Sequence, residues 1–175
     1  MKPDRLARCA VLTALALALS MAEQLLPLTL LIPLPGLRLG LANLVTVFAL
    51  CRLSGRETLL ILIARCVLGA VGGGNLTALA FSLTGGLLAV AVMALLLRCP
   101  GLSLVGVSMA GAAAHHVGQV LAAMAVLGSR APLVYLPALL AASVVTGGVT
   151  GLVSVPLVHR VPEKVTGISL NFKNL

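Results

Sequence analysis

Acidic residues are scarce in this chain: 175 residues hold four, Asp4, Glu23, Glu57 and Glu163. A single aspartate excludes the Asp-rich clusters that hold magnesium diphosphates, and scattered glutamates exclude the paired carboxylates of hydrolysis or prenyl transfer. Charged residues of both signs make up 9% of the chain, against about 25% in soluble domains. A water-soluble form would have no polar surface to present. Trp is absent and there are only three Phe and one Tyr, so no platform exists on which bases could stack. The net charge of +8 is therefore not read as a nucleic-acid footprint, and lipid headgroups are its expected counter-ions. No GxxxxGK[ST] or HExxH pattern occurs. Cys9, Cys51, Cys66 and Cys99 stand alone without metal-ligand spacing and read as packing residues. Neither a cofactor nor catalysis by this chain alone is expected.

What the chain has is apolar length. Sixty per cent of its residues are hydrophobic and its mean hydropathy is +1.16. The expectation is an all-α integral membrane protein, one membrane domain over 1–175, built as a six-helix bundle. The apolar segments run over about 6–31, 39–53, 57–71, 76–97, 102–127 and 133–158, with a polar tail over 159–175. The basic start and small residues near Ala22 resemble a signal peptide. Because the remaining segments are equally apolar, an uncleaved first helix is expected. The second and third segments are short, about 15 residues where about 20 is usual. They are either re-entrant or extended by snorkelling of Arg52 and Arg56. Charge placement decides. Six crossings put Lys2, Arg5, Arg8, Arg52, Arg56, Arg98, Arg160, Lys164 and Lys173 on one side and only Arg38 and Arg130 on the other. Excess Lys/Arg marks the cytoplasmic side, so both termini are expected there, in a plasma membrane of bacterial type.

Polar groups inside a bilayer are expensive, which makes each one a candidate. Arg65 lies deep in the third segment; it either pairs with Glu23 or caps carbonyls, or it faces an anionic group on a ligand. His115, His116 and Gln119 share one side of the fifth segment. They serve either a ligand or contacts between helices. A metal site would need a third ligand, and His159 lies at the other membrane end. Arg38, Asn43 and Asn75 complete an outward-facing polar set, with Ser82 and Thr84 assigned to the same layer. Asn75-Leu-Thr77 formally matches a glycosylation acceptor. Ser143, Thr146 and Thr150, with Gly147 and Gly151 nearby, read as close helix packing. Ala10, Ala14, Ala18 and Ala22 form a smooth stripe on the first helix, either a by-product of Ala-rich composition or a docking face for a helix of this bundle or of another subunit.

Four ordered stretches carry a resemblance: Pro35-Gly-Leu-Arg-Leu-Gly-Leu-Ala-Asn43-Leu-Val-Thr46, Phe81-Ser-Leu-Thr-Gly-Gly86, Gly106-Val-Ser-Met-Ala-Gly111 and Ala114-His-His-Val-Gly-Gln119. Together they resemble the Gx transporter family, long labelled heptaprenyl diphosphate synthase component I, over almost the whole chain. That family is similar to the substrate-binding S components of energy-coupling factor (ECF) transporters. The resemblance implies a six-helix membrane subunit that captures a micronutrient at the outer face. It also implies work with a transmembrane T component and two cytoplasmic ATPases. By the same resemblance, Ala10, Ala14 and Ala18 would dock the T component, and the loops around 35–40 and 72–75 would close over substrate. The competing expectation is a non-catalytic accessory subunit of heptaprenyl diphosphate synthesis. No motif specifies the substrate.

Overall fold

The computed structural model describes residues 3–24, 40–73 and 76–160, and every regular element among them is helical. The helices are α1 (Pro3–Gln24), α2 (Asn43–Arg52), α3 (Gly55–Gly73), α4 (Leu76–Leu96), α5 (Leu104–Leu127) and α6 (Leu136–Arg160). A 3-10 turn, Ala131–Tyr135, leads into α6. Four stretches, over 3–23, 76–96, 104–127 and 131–160, are long and apolar enough to cross a membrane. The chain is thus an all-helical membrane protein. α2 has only 10 residues, about 15 Å of helix. α3 has 19 but carries Arg56, Glu57 and Arg65.

Local chemistry sets several boundaries. Gly40 has φ +87°, a conformation open to glycine at little cost, and it turns the chain before α2 starts at Asn43 rather than at residue 39. Ser54 and Glu57 form a reciprocal capping box that starts α3 at Gly55. The Glu57 carboxylate accepts from the Ser54 amide at 2.9 Å and from its hydroxyl at 2.8 Å. Ser103 caps α5 by accepting from the Gly106 amide at 3.1 Å, and Gly128, at φ +59°, ends that helix. α6 continues to Arg160, so the segment expected to end at 158 runs two residues further. Residues 25–31 of the first expected segment and 161–175 of the tail lie outside the described residues.

Contacts fix the helix directions. Arg5 reaches Glu57 near the starts of α1 and α3, and Arg65 reaches Ser20 further along both, so these two helices run parallel. The ends of α2 and α6 meet where the Arg52 guanidinium donates to the Val158 carbonyl. α4 and α5, and α5 and α6, are antiparallel: Gly85 backs onto His115, and Gly147 onto Met109. α5 lies between α4 and α6 and is the most enclosed of the four long apolar helices.

Two kinds of interior are stacked along the bundle. Val47, Leu50, Leu62, Met93, Leu104, Val107 and Val158 form an apolar core at the end holding Arg52 and the start of α5. A second cluster, including Cys9, Ala16, Val45, Ala49 and Ile61, joins α1 to α2 and α3. Towards the other end the interior turns polar. The outer surface is apolar: Val11, Val71, Leu76, Val134, Val145 and Leu152 are each more than 60% exposed, the pattern of side chains facing lipid tails.

Candidate ligand site in the polar layer

The polar interior draws on five helices. α1 contributes Ser20 and Glu23, α2 Asn43 and Thr46, α3 Arg65, α4 Ser82, and α5 His115, His116 and Gln119; all are buried. Short contacts connect several of them. The Arg65 Nη1 donates to the Ser20 hydroxyl at 3.3 Å. One turn along the same face of α1, Glu23 Oε1 accepts from the Gly40 amide at 2.5 Å. That charge-assisted bond ties the end of α1 to the turn before α2. A Cβ placed on Gly40 would sit 3.0 Å from Asn43 Nδ2 and 3.3 Å from His115 Cδ2, so this turn brings the carboxamide and the imidazole side by side.

Small residues on α4 make room for the rest. A Cβ on Gly85 would lie 2.8 Å from the His115 carbonyl oxygen and 2.9 Å from its Nδ1. One on Gly86 would lie 3.4 Å from Arg65 Nη2. Consecutive glycines therefore admit α5 on one side and, on the other, the Leu62 side chain of α3, with the Arg65 guanidinium in ordinary contact beside it. The His115 and His116 ring centroids are 6.1 Å apart, and both rings are buried although neighbours on a helix point about 100° apart. Both can be buried because α5 is covered by α4 on one flank and by α6 on another.

Among the described residues, the Asn43 carboxamide, 2% exposed, has no hydrogen-bond partner for either Nδ2 or Oδ1, and the buried Ser82 hydroxyl has none. An unmade hydrogen bond on a buried polar group costs about 1–3 kcal/mol. A lone buried orphan is unusual, and this one stands beside a histidine. Among the described residues, the layer sets one guanidinium, Arg65, and one carboxylate, Glu23, amid amides, hydroxyls and imidazoles.

Of the residues singled out from sequence, Asn43, Arg65, His115, His116 and Gln119 are all buried, with Asn43 near His115 at the Gly40 turn and His115 next to His116. Arg38 and Asn75 lie outside the described residues. Thr84 does not join the layer. It is exposed, and its hydroxyl donates to the Ala80 carbonyl at 2.7 Å while lying 3.2 Å from the Gly118 carbonyl. Two residues after Ser82 on a helix is about 200° away, so both could not face inward. Ser20 was not anticipated, and Gly40 was anticipated only as the end of a substrate loop. The place of Ser20, three residues before Glu23 on one face, was the available signal.

Away from this layer, Ser108 and Thr150 share a buried hydrogen bond of 2.9 Å between α5 and α6. Ala10, Ala14, Ala18 and Ala22 are all exposed, while Cys9, Thr13, Ala16, Ser20 and Glu23 fill the inner face of α1. No described helix of this bundle covers the alanine stripe. Among the described residues no group of three His, Cys, Asp or Glu side chains is placed to hold a metal.

The model of one protein family, heptaprenyl diphosphate synthase component I, matches residues 12–157 and so includes the whole polar layer. Neither a curated protein nor a solved structure matches the chain.

Proposed function

The chain belongs to the heptaprenyl diphosphate synthase component I family, and from that premise we propose that it is a membrane subunit that binds a small molecule and acts through partner chains. The role this reading assigns is substrate capture for an ATP-driven micronutrient importer, in the manner of an S component. The observation that carries it is the buried polar layer, with the partnerless Asn43 carboxamide inside an otherwise apolar bundle. A bundle that only anchored a partner would have no reason to bury arginine, two histidines, two amides and a glutamate at one level, since each loses hydration there. On this reading Asn43, Arg65, His115, His116 and Gln119 contact the ligand, with Arg38 and Asn75 approaching from the connections outside the described residues. Energy would come from ATP hydrolysed on two partner ATPases coupled by a T component. The uncovered Ala10-Ala14-Ala18 stripe supports such a partner, because small residues let a second helix approach closely. The expected orientation puts both termini in the cytoplasm of a bacterial-type cell and the polar layer nearer the outside.

The family name favours a second reading, an accessory membrane subunit for a separate prenyl diphosphate synthase. One experiment separates them: purification in mild detergent from the native cell, with native mass spectrometry of the protein and identification of co-purifying chains. Importer function predicts a retained small molecule, ATPases and a membrane partner. A soluble Asp-rich synthase with no retained ligand overturns it in favour of the second reading.

A further inference from the structure

Resting on the reading of the polar layer as a ligand site, we infer that its ligand carries an amide-type edge, a hydrogen-bond acceptor and an N–H donor bonded to the same carbon, which pairs with the Asn43 carboxamide. Lactams, ureides and hydroxy- or aminopyrimidine-type rings are the compounds with that edge.

The inference starts from what is missing around Asn43. A primary carboxamide offers two N–H donors at one end and an acceptor at the other, fixed in one plane about 2.3 Å apart. At 2% exposure, with neither end partnered, Asn43 presents both functions to the interior. A carboxylate ligand would satisfy the donor and set its charge against the carbonyl oxygen. An ammonium would do the reverse. A group with donor and acceptor side by side satisfies both at once, in the two-bond geometry by which asparagine reads the edge of adenine.

The surroundings agree. Asn43 is the first residue of α2, and the Gly40 amide just before it is held by Glu23, so the carboxamide stands on a fixed turn. The His115 ring lies on the same side of Gly40, giving a flat ligand an aromatic neighbour. On α4, one turn before Gly85 and Gly86, the buried Ser82 hydroxyl also lacks a partner among the described residues. Most of the described set, Asn43, Ser82, His115, His116 and Gln119, is neutral or becomes neutral by losing a proton. A largely uncharged, hydrogen-bonding heterocycle suits that inventory better than a small inorganic ion.

The test uses the full-length protein in detergent, probed by thermal shift with uracil, cytosine and 2-pyrrolidinone against cyclohexanone and acetate, which lack the edge. The first group should raise Tm and the second should not. Asn43→Leu should weaken binding of the best probe roughly ten- to a hundredfold, the range of a two-bond amide contact. It should also leave the ligand-free Tm unchanged or higher, because an unpartnered amide is replaced by an apolar group. Asn43→Ala, which cannot overcrowd the site, should behave alike in binding. Stabilisation by acetate but not by the amide probes overturns the inference. So does a fall in the ligand-free Tm of both variants with binding intact, which would make Asn43 a structural strut. A protein that retains a small molecule without an amide edge in native mass spectrometry overturns the ligand class while leaving the binding site standing. One that retains none, and responds to none of the probes, removes the site itself.

Discussion

Gly118 on α5 sits directly against Gly85 on α4: a Cβ built on Gly118 would lie 2.7 Å from the Gly85 Cα and 2.8 Å from the Thr84 carbonyl oxygen. Backbone meets backbone here, and neither can yield as a flexible side chain would. This crossing holds α5 at the depth that places His115 beside Gly40 and Asn43. Gly118→Ala should therefore separate the two helices and cost about 1–3 kcal/mol, the range for overpacking. Gly148, on α6, has nothing within 4 Å of its built Cβ. Gly148→Ala should be neutral or slightly stabilising, since alanine is the better helix former. Thermal unfolding in detergent of the two single variants checks the contrast.

Glu57 should matter more to α3 than the ion pair it makes. Its carboxylate closes the capping box with Ser54, while Arg5 lies 4.0 Å away with half of its side chain exposed. Loss of a cap costs about 1 kcal/mol, and an exposed pair contributes a few tenths. Glu57→Ala should thus lower Tm clearly, Glu57→Gln much less because glutamine also completes the box, and Arg5→Ala hardly at all. Equal losses for Arg5→Ala and Glu57→Ala would show that the pair, not the cap, holds this end.

The polar layer was largely legible because a bilayer leaves a polar residue few reasons to be present. Arg65, His115, His116 and Gln119 each interrupt apolar sequence, and their helix positions put Arg65 deep in its segment and the other three towards the outer half. What the sequence could not supply was the juxtaposition of Asn43 with His115, which depends on the turn at Gly40 and on how deeply α5 seats against Gly85. Thr84 was assigned inward by its position along α4, where its angle around the helix decides the matter. The six helices were visible as apolar runs, but the start of α2 at Asn43 follows from backbone geometry at Gly40. The alanine stripe was visible as a spacing; only packing could show that its exposed face is not used by the described helices.

The expected topology can be checked with one native cysteine. Cys99 is exposed in the turn after α4, beside Arg98, whereas Cys9, Cys51 and Cys66 are buried. The excess of Lys and Arg assigns that turn to the cytoplasm. In intact cells a membrane-permeant maleimide should label Cys99 and a charged, impermeant one should not. Ser129→Cys, in a Cys99→Ser background, lies at the exposed opposite end of α5 and should show outside labelling by the impermeant reagent. Labelling of Cys99 from outside would invert the bundle and turn the polar layer towards the cytoplasm.

Arg65 has two possible duties, tying α3 to α1 and meeting a ligand, and paired variants separate them. Its bond to Ser20 is 3.3 Å long, at the weak end for such contacts. Ser20→Ala should therefore cost no more than about 1 kcal/mol and leave ligand retention intact. Arg65→Met removes the cation from the layer altogether. If Arg65 meets the ligand, retention in native mass spectrometry should fall at least about tenfold, the expected loss of a charge-assisted contact worth roughly 1.5–3 kcal/mol. Arg65→Lys keeps the charge without the planar fork and should retain an intermediate amount. If the guanidinium serves only to join the helices, Ser20→Ala and Arg65→Met should lower Tm together and leave retention unchanged. Ligand retention against Tm, measured on the same preparations, thus decides which duty this buried arginine performs.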